Sequence, residues 1–225
     1  MARCPFAEFR AISGPSGPNV GGPFKIVHHT TEGSSAAGAL AAFKTNRSDP
    51  HFTVDGMKII QHIDTAEAAR ALRNAAGGVQ TNRDSAIQIE LVGFAGSRKN
   101  IPALQNVARL CRWLEATHAI PSVWPNGPPR AHNNGRDPGG HNRDAASWDS
   151  KSGHYGHSQV PENSHWDPGY DKVEFDFLMA ARFDDTGRLL NRDDPKVAAA
   201  MDRPLPFNAA PPEVMEDHAF VDDGD

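Results

Sequence analysis

The stretch from Gly156 to Gly169 places histidine and acidic side chains close together in a segment that cannot form a regular helix. Asp167 lies ten residues after His157 and two after His165, and prolines interrupt the stretch. Imidazole nitrogen and carboxylate oxygen are ligands that zinc accepts, and a catalytic zinc takes three protein ligands and leaves one position for water. The stretch therefore predicts part of a catalytic zinc site whose remaining ligand lies elsewhere in the chain.

A predicted buried strand, residues 24–29, ends in the pair His28 and His29. Neighbouring side chains on a strand point to opposite faces, so only one of the two histidines can face a given site. His28, His157 and Asp167 form a set of two histidines and one aspartate that suits metal-assisted hydrolysis. The chain has eleven histidines, so other sets of three exist and spacing alone does not select among them.

A second candidate catalytic group, Glu90, lies in the predicted strand 85–93. Alternation along this strand puts Glu90 on one face, with Ala86, Gln88 and Val92, and puts Ile87, Ile89 and Leu91 on the other. An unpaired buried carboxylate costs roughly several kcal/mol. Glu90 therefore has either a catalytic role or a buried ion-pair partner, for which Arg70 and Arg83 are the candidates.

Helical and strand periodicities alternate along the chain, which favours an α/β fold with a central sheet flanked by helices. The clearest element is an amphipathic helix over residues 101–118, whose apolar positions follow the spacing that covers a sheet. Further helices are predicted at 35–46, 65–76, 170–182 and 195–201, and a hairpin joins 51–54 to 57–63.

The composition divides the chain into three parts. Residues 1–23 are predicted to be an irregular lead-in, residues 24–182 a catalytic domain, and residues 183–225 an extension that partly wraps the surface or is disordered. Within the domain, residues 121–152 show little periodicity and many turn-forming residues. A loop of this length is predicted to face substrate or to be mobile.

The net charge of −5 argues against a nucleic-acid partner, because such proteins normally present a basic surface. The two cysteines do not suggest a disulfide framework. No apolar run is long enough for a signal peptide or a membrane span, so no membrane insertion is expected.

Four segments occur in the order found in the zinc-dependent N-acetylmuramoyl-L-alanine amidases, which the chain resembles over residues 24–182. That family includes phage lysozyme-type amidases and peptidoglycan recognition proteins. The resemblance implies a mixed central β-sheet flanked by helices, the fold of peptidoglycan recognition proteins. The segments read Ile-Val-His-His-Thr-Thr at 26–31, His-Phe-Thr-Val-Asp at 51–55, Ala-Ile-Gln-Ile-Glu-Leu at 86–91, and Gly-His through Asp-Pro-Gly at 156–169.

Carried over residue by residue, the resemblance implies that His28, His157 and Asp167 bind Zn²⁺. It also implies that Glu90 is the catalytic base. Two residues before the last ligand the family commonly has a lysine, sometimes a threonine, which is thought to steady the oxyanion. This chain has His165 there, and the resemblance assigns it as a second catalytic residue.

The activity implied is hydrolysis of the amide between N-acetylmuramic acid and L-alanine in peptidoglycan or a muropeptide. Without a signal peptide, the expected setting is a phage endolysin or an injected antibacterial effector acting on the cell wall. An effector would also imply an immunity protein. A cytoplasmic enzyme that recycles muropeptides is an alternative.

The sequence also permits other interpretations of individual residues and of the function. Trp166, Tyr155 and His29 are candidates for substrate contact, although loop aromatics often only anchor a loop and His29 can equally be a packed strand residue. A non-catalytic peptidoglycan-binding module is one alternative function. A metal-dependent nuclease that uses residues 132–134 is another, which the acidic balance disfavours.

Overall fold

A computed structural model describes residues 2–204 of the 225-residue chain. Its centre is a six-stranded mixed sheet with the strand order β1-β4-β3-β5-β2-β6. Every neighbouring pair is parallel except β3 and β4, which form an antiparallel hairpin. The strands are β1 (Glu8–Phe9), β2 (Lys25–Thr30), β3 (Phe52–Val54), β4 (Ile59–Gln61), β5 (Ala86–Leu91) and β6 (Gly153–Gly156).

Five α-helices surround the sheet in the described part of the chain: α1 (Ala36–Asn46), α2 (Ile101–His118), α3 (Ala145–Ser150), α4 (Lys172–Ala180) and α5 (Pro195–Met201). Helix α2 covers the face formed by Ile87, Ile89 and Leu91, and α4 and α5 extend that core. A smaller cluster on Val27 and Ala86 includes the buried Trp148 and Tyr155. The predicted mixed α/β architecture is confirmed. Within residues 2–204, no helix is both long and apolar enough to cross a membrane.

Most elements with a strong local pattern form where they were predicted. Helix α2 spans Ile101–His118, and α1 begins directly after Ser35, whose side chain accepts a hydrogen bond from the Gly38 amide. The predicted hairpin is confirmed as β3 and β4. The short helix α3 lies inside the region 121–152 predicted to be a long loop, and the short strand β6 begins directly after it. Neither was predicted, because elements of this length give too little periodicity to detect.

The helix predicted over residues 65–76 is wrong, because this segment is irregular. Its backbone amides donate to acceptors elsewhere in the chain, so tertiary hydrogen bonds replace the helical ones. These bonds run from Arg70 to the Asp49 carbonyl, from Ala71 to the Gln88 side chain, from Leu72 to Asn82 and from Arg73 to Asn163. The segment is thereby fixed against β5 and against the loop that follows β6.

Residues on both sides of the predicted catalytic domain contribute to the packing. In the lead-in, β1 pairs with β4, and Cys4 is buried and donates its amide hydrogen to Gln61. In the extension, Val197 and Ala200 of α5 are buried in the main core. Cys4 and Cys111 are free thiols. Of the extension predicted to wrap the surface or to be disordered, residues 205–225 lie outside the described residues.

His51 is a buried structural histidine whose ring nitrogens have fixed roles. Its Nε2 donates to the Glu67 carbonyl at 2.9 Å and its Nδ1 accepts from the Gln88 amide at 3.0 Å. Burial lowers the pKa of His51 from 6.5 to about 4. Because protonation would remove the acceptor for Gln88, this histidine stabilises the fold only while it is neutral.

The free energy of unfolding is expected to decrease as the pH falls from 7 to 5, since the unfolded state then binds the proton that folded His51 excludes. The stabilisation is complete above the unfolded pKa of 6.5 and is lost as the pH falls towards the folded value of about 4. The His51 contribution lost by pH 5 is about 2 kcal/mol. Urea unfolding at both pH values should therefore show a smaller pH effect in His51→Gln than in the wild type. An unchanged slope would contradict the assignment.

Candidate active site

The register of the central strands decides which histidine of the pair faces the site. In the parallel pair β2–β5, His29 lies opposite Glu90 and His28 lies opposite Ile89. Residues in register on neighbouring strands point to the same face. His29 and Glu90 therefore share one face, and His28 is on the face that packs under α2.

The structure corrects the predicted grouping of His28 with His157 and Asp167. His28 instead joins a buried hydrogen-bonded chain on the α2 face of the sheet. Its Nε2 lies 3.0 Å from His154 Nδ1, and its Nδ1 lies 3.3 Å from the Tyr170 hydroxyl oxygen. His154 Nε2 in turn lies 2.9 Å from a carboxylate oxygen of Glu115. The chain thus joins β2 and β6 to α2 and to Tyr170, which lies two residues before α4.

His29, His157 and Asp167 converge at the carboxyl end of the sheet. The two Nδ1 atoms lie 3.0 Å apart, and His157 Nδ1 lies 3.1 Å from Asp167 Oδ1. Asp167 Oδ2 lies 3.9 Å from His29 Nδ1. All three residues are buried. Three ligand atoms that face one another at these distances can surround a single metal ion.

Neighbouring polar groups orient two of these three side chains. His157 Nε2 lies 3.0 Å from the Asn163 side-chain oxygen, which accepts its hydrogen and leaves Nδ1 as the lone-pair atom. The Asn163 amide group is itself anchored on the Arg73 and Pro161 carbonyls. The Thr30 backbone amide donates to Asp167 Oδ2 at 3.0 Å. These contacts aim His157 Nδ1 and the Asp167 carboxylate at the same point.

The electrostatic environment favours the protonation states that bind a metal. Burial, followed by repulsion from His157, lowers the pKa of His29 well below its ordinary value, so its imidazole is neutral. Burial raises the pKa of the Asp167 carboxyl, but attraction to His157 and His29 outweighs it, and the net pKa is lowered. A neutral imidazole and an ionised carboxylate are the forms in which these residues act as ligands.

Glu90 lies next to the set formed by His29, His157 and Asp167. Its Oε1 is 3.8 Å from His29 Nδ1. Its Oε2 is buried and has no hydrogen-bond partner among the described residues. Burial, followed by repulsion from Asp167 and Glu32, raises the pKa of Glu90 well above its ordinary value. The alternative of an ion pair with arginine is not realised: Arg70 lies 4.0 Å from Asp49, and Arg83 donates to the Pro18 carbonyl.

His165 lies beside the converging residues. Its ring stacks on that of His157, with the centroids 4.6 Å apart and the planes at 6°. The Arg143 guanidinium donates to the His165 carbonyl at 2.9 Å, which ties this loop to the segment before α3. His165 is half-buried.

The three residues predicted to contact substrate have different environments. His29 is buried and belongs to the converging set described above. Trp166 is half-buried and lies within the stretch from Gly156 to Gly169, here called the site loop. Tyr155 is fully buried, donates to the Ser147 and Lys151 carbonyls and packs on Trp148, so the prediction that it contacts substrate is wrong. Alternation along β6 turns its side chain into the smaller core.

Two groups among the described residues bring three potential metal ligands together: the set formed by His29, His157 and Asp167, and the set formed by His28, Cys111 and His154. The histidines of the second set show the same kind of contact, 3.0 Å between His28 Nε2 and His154 Nδ1. The third member differs, because burial raises the pKa of the Cys111 thiol and favours the protonated form, which is not the form that binds a metal. The first set, which contains a carboxylate and adjoins Glu90, fits a catalytic zinc better.

Sequence reasoning named His29 only as a candidate substrate contact and not as a metal ligand, and it missed Asn163 as a positioning residue. One signal for His29 was present in the sequence. A metal ligand and a base that act on the same substrate must lie on the same face of the sheet, and Glu90 was the predicted base. Using this signal required the register of β2 against β5, and neither strand's sequence specifies that register by itself.

The geometry agrees with the family relationship of the chain. Residues 22–170 match the family model of N-acetylmuramoyl-L-alanine amidase. The match spans more than half of the sequence, and the chain belongs to this family. Comparison with curated protein sequences finds no match.

Several solved structures of amidases and related hydrolases are similar to this chain. Staphylococcus aureus hydrolase AmiA, solved in complex with its ligand, is 19% identical over 79% of this chain and 83% of its own, with a TM-score of 0.49. A derivative of AmpD is 17% identical over 78% and 96%, with a TM-score of 0.48. The catalytic domain of XlyA is 27% identical over 51% and 78%, with a TM-score of 0.40.

Proposed function

We propose that this protein is a zinc-dependent amidase that hydrolyses the bond between N-acetylmuramic acid and L-alanine in peptidoglycan. The observation that carries the proposal is the convergence of His29, His157 and Asp167 beside a buried carboxyl group. Family membership supports the peptidoglycan amide as the substrate. In this proposal the three residues hold the zinc ion, and His28 has a structural role in the core.

His29, His157 and Asp167 would hold the zinc ion, which would supply Lewis acidity for polarising the scissile carbonyl and activating water. Glu90 is placed to accept the proton of the attacking water and to deliver it to the leaving amine of L-alanine. Its unpartnered Oε2 gives it a free oxygen for this transfer. Burial of the site limits access of bulk water to Glu90.

His165 is the second catalytic residue in the proposal. Its half-buried ring, stacked on His157, is positioned to donate a hydrogen bond to the oxyanion that develops on the scissile carbonyl. This role corresponds to the position where the resembling family commonly has a lysine. A neutral or protonated imidazole can act as such a donor.

Replacing His165 with alanine is expected to lower kcat about 10²-fold with zinc content unchanged, because one oxyanion donor is lost. Turnover of a muramoyl peptide and metal analysis of the purified variant check this. A His165→Gln variant, which retains a donor, should recover part of the activity. Wild-type turnover in His165→Ala would remove this residue from the mechanism.

The reaction itself is tested by mass spectrometry of purified peptidoglycan digested with the wild-type protein and with Glu90→Ala. The wild-type digest should contain stem peptides with a free L-alanine amine and glycan with a free lactyl carboxylate. Lactyl-alanine bonds that remain intact after wild-type treatment, with zinc bound, would overturn the proposal. They would favour a module that binds peptidoglycan without cleaving it.

The proposed biological setting is an endolysin or an antibacterial effector that acts on the cell wall. An enzyme of this kind should release peptide from intact sacculi. A recycling amidase would instead cleave soluble muropeptides and leave sacculi nearly untouched. Comparing initial rates on the two substrates distinguishes these settings.

A further inference from the structure

Four side chains on the α2 face of the sheet, Tyr170, His28, His154 and Glu115, form one hydrogen-bonded series, here called the buried network. The Glu115 carboxylate can only accept, so His154 Nε2 donates to it and His154 Nδ1 is left as an acceptor. His28 Nε2 therefore donates to His154 Nδ1, and His28 Nδ1 accepts from the Tyr170 hydroxyl. The network thus runs in one direction, from the hydroxyl to the carboxylate.

The surroundings of the buried network keep it dry and its rings neutral. His28, His154 and Tyr170 are each at most 2% exposed. Trp124 packs on both imidazoles, with its ring centroid 4.9 Å from that of His28 and 5.6 Å from that of His154. Burial lowers the pKa of both imidazoles, so each ring has one donor and one acceptor nitrogen. A fully paired network in such surroundings fixes the separation of the elements that it joins.

Three members of the buried network are near neighbours in sequence of the three proposed zinc ligands. The pairs lie one or three residues apart: His28 and His29 on β2, His154 and His157 on β6 and the turn after it, and Asp167 and Tyr170 at the end of the site loop. Alternation along β2 puts the network and the ligands on opposite faces of the sheet. Because so few backbone bonds separate each pair, a spacing fixed on one face also fixes the ligands on the other.

Backbone packing alone holds only part of this arrangement. β2 and β6 pair in register, with His28 opposite Gly156. Gly156 allows the end of the site loop to lie close to β6, because an added Cβ there would be 2.9 Å from Pro168 Cδ. Residues 167–170 therefore pack on β6 at one end. The Tyr170 hydroxyl connects the other end to β2.

We propose that the buried network positions the zinc site, with Tyr170, His28 and His154 as positioning residues that hold the three ligand-bearing segments at the spacing a single metal ion requires. This inference rests on the proposed function for the assignment of the ligands. It gives His28 a part in metal binding without contact to the metal. Apolar side chains of similar size would fill the same space, but they would not fix one arrangement of the segments.

The test compares two variants of the full-length protein that each lose one buried tyrosine hydroxyl. Tyr170→Phe should weaken zinc affinity about 10-fold, as expected when an outer contact of a metal site is lost. It should also change the visible absorption spectrum of the cobalt-substituted protein, because the ligand geometry changes. The matched control Tyr155→Phe removes a comparably buried hydroxyl of β6 that bonds to the Ser147 and Lys151 carbonyls. It should keep the wild-type zinc affinity and cobalt spectrum.

A second pair of variants tests whether hydrogen bonding is responsible. Glu115→Gln keeps an oxygen that accepts from His154 Nε2, and its zinc affinity should stay near that of the wild type. Glu115→Met has a similar length but no such oxygen, and it should bind zinc more weakly. Competition with a chromophoric chelator measures the zinc affinity of all four variants. Urea unfolding of the same proteins measures how far stability changes with it.

The inference is overturned if Tyr170→Phe has the zinc affinity and cobalt spectrum of the wild type, or if Glu115→Gln binds zinc as weakly as Glu115→Met. It is also overturned if the wild type binds two zinc ions and Cys111→Ala binds one, since a metal would then occupy the network. A wild type that binds zinc without cleaving a muramoyl peptide would refute the amidase activity alone. Cleavage by the wild type, with unchanged zinc affinity in Tyr170→Phe, would refute the positioning role alone.

Discussion

Replacing His29 with alanine is expected to remove stoichiometric zinc and to lower amidase turnover by at least about 10³-fold. The physical reason is that His29 supplies one of three ligand atoms, and the metal contributes several kcal/mol to the stabilisation of the transition state. Metal analysis of the purified variant and initial rates on a muramoyl peptide measure both effects. The same loss is expected for Asp167→Ala.

The matched control for this prediction is Cys111→Ala. Cys111 belongs to the other group that could hold a metal, with His28 and His154. The variant should retain zinc and most of its turnover, and it should lose about 1 kcal/mol of unfolding free energy because a small buried side chain is truncated. Loss of zinc in Cys111→Ala with retention in His29→Ala would reverse the assignment of the two groups.

Replacing Glu90 with glutamine is expected to lower kcat by about 10²–10⁴-fold while zinc stays bound, because the variant cannot accept a proton from water. Glutamine has nearly the same shape, so the buried site should keep its packing. Equal zinc content in the two proteins separates loss of the base from loss of the metal. Turnover near the wild-type rate would show that another group accepts the proton.

The pH dependence gives the Glu90 assignment a second test. Burial raises the pKa of Glu90 well above its ordinary value, and only the ionised form can act as a base. The wild-type rate should therefore fall as the pH decreases through this raised pKa, earlier than an exposed glutamate would allow. In Glu90→Gln this acidic limb should be absent. An identical limb in both proteins would assign it to a different group.

The local pattern of the sequence was sufficient for the elements that carry a strong period. Helix α2 and the hairpin β3–β4 lie where apolar spacing and turn residues placed them. Local pattern failed for residues 65–76, where helix-compatible spacing gives way to hydrogen bonds with distant side chains. The acceptors lie as far away as Gln88 in β5 and Asn163 after β6, so no short window of sequence contains them.

The pair His28 and His29 shows which part of the site could be predicted from the sequence and which part depended on the tertiary structure. The residue types in the stretch from His157 to Asp167, and the alternation along β2, predicted that a metal site would use one member of the pair. They did not determine which one. That choice follows from the parallel register that sets His29 opposite Glu90 and His28 opposite Ile89, and from the helix that covers the Ile89 face. A shift of one residue in this pairing exchanges the two faces, so only the assembled sheet distinguishes the proposed ligand from the core histidine.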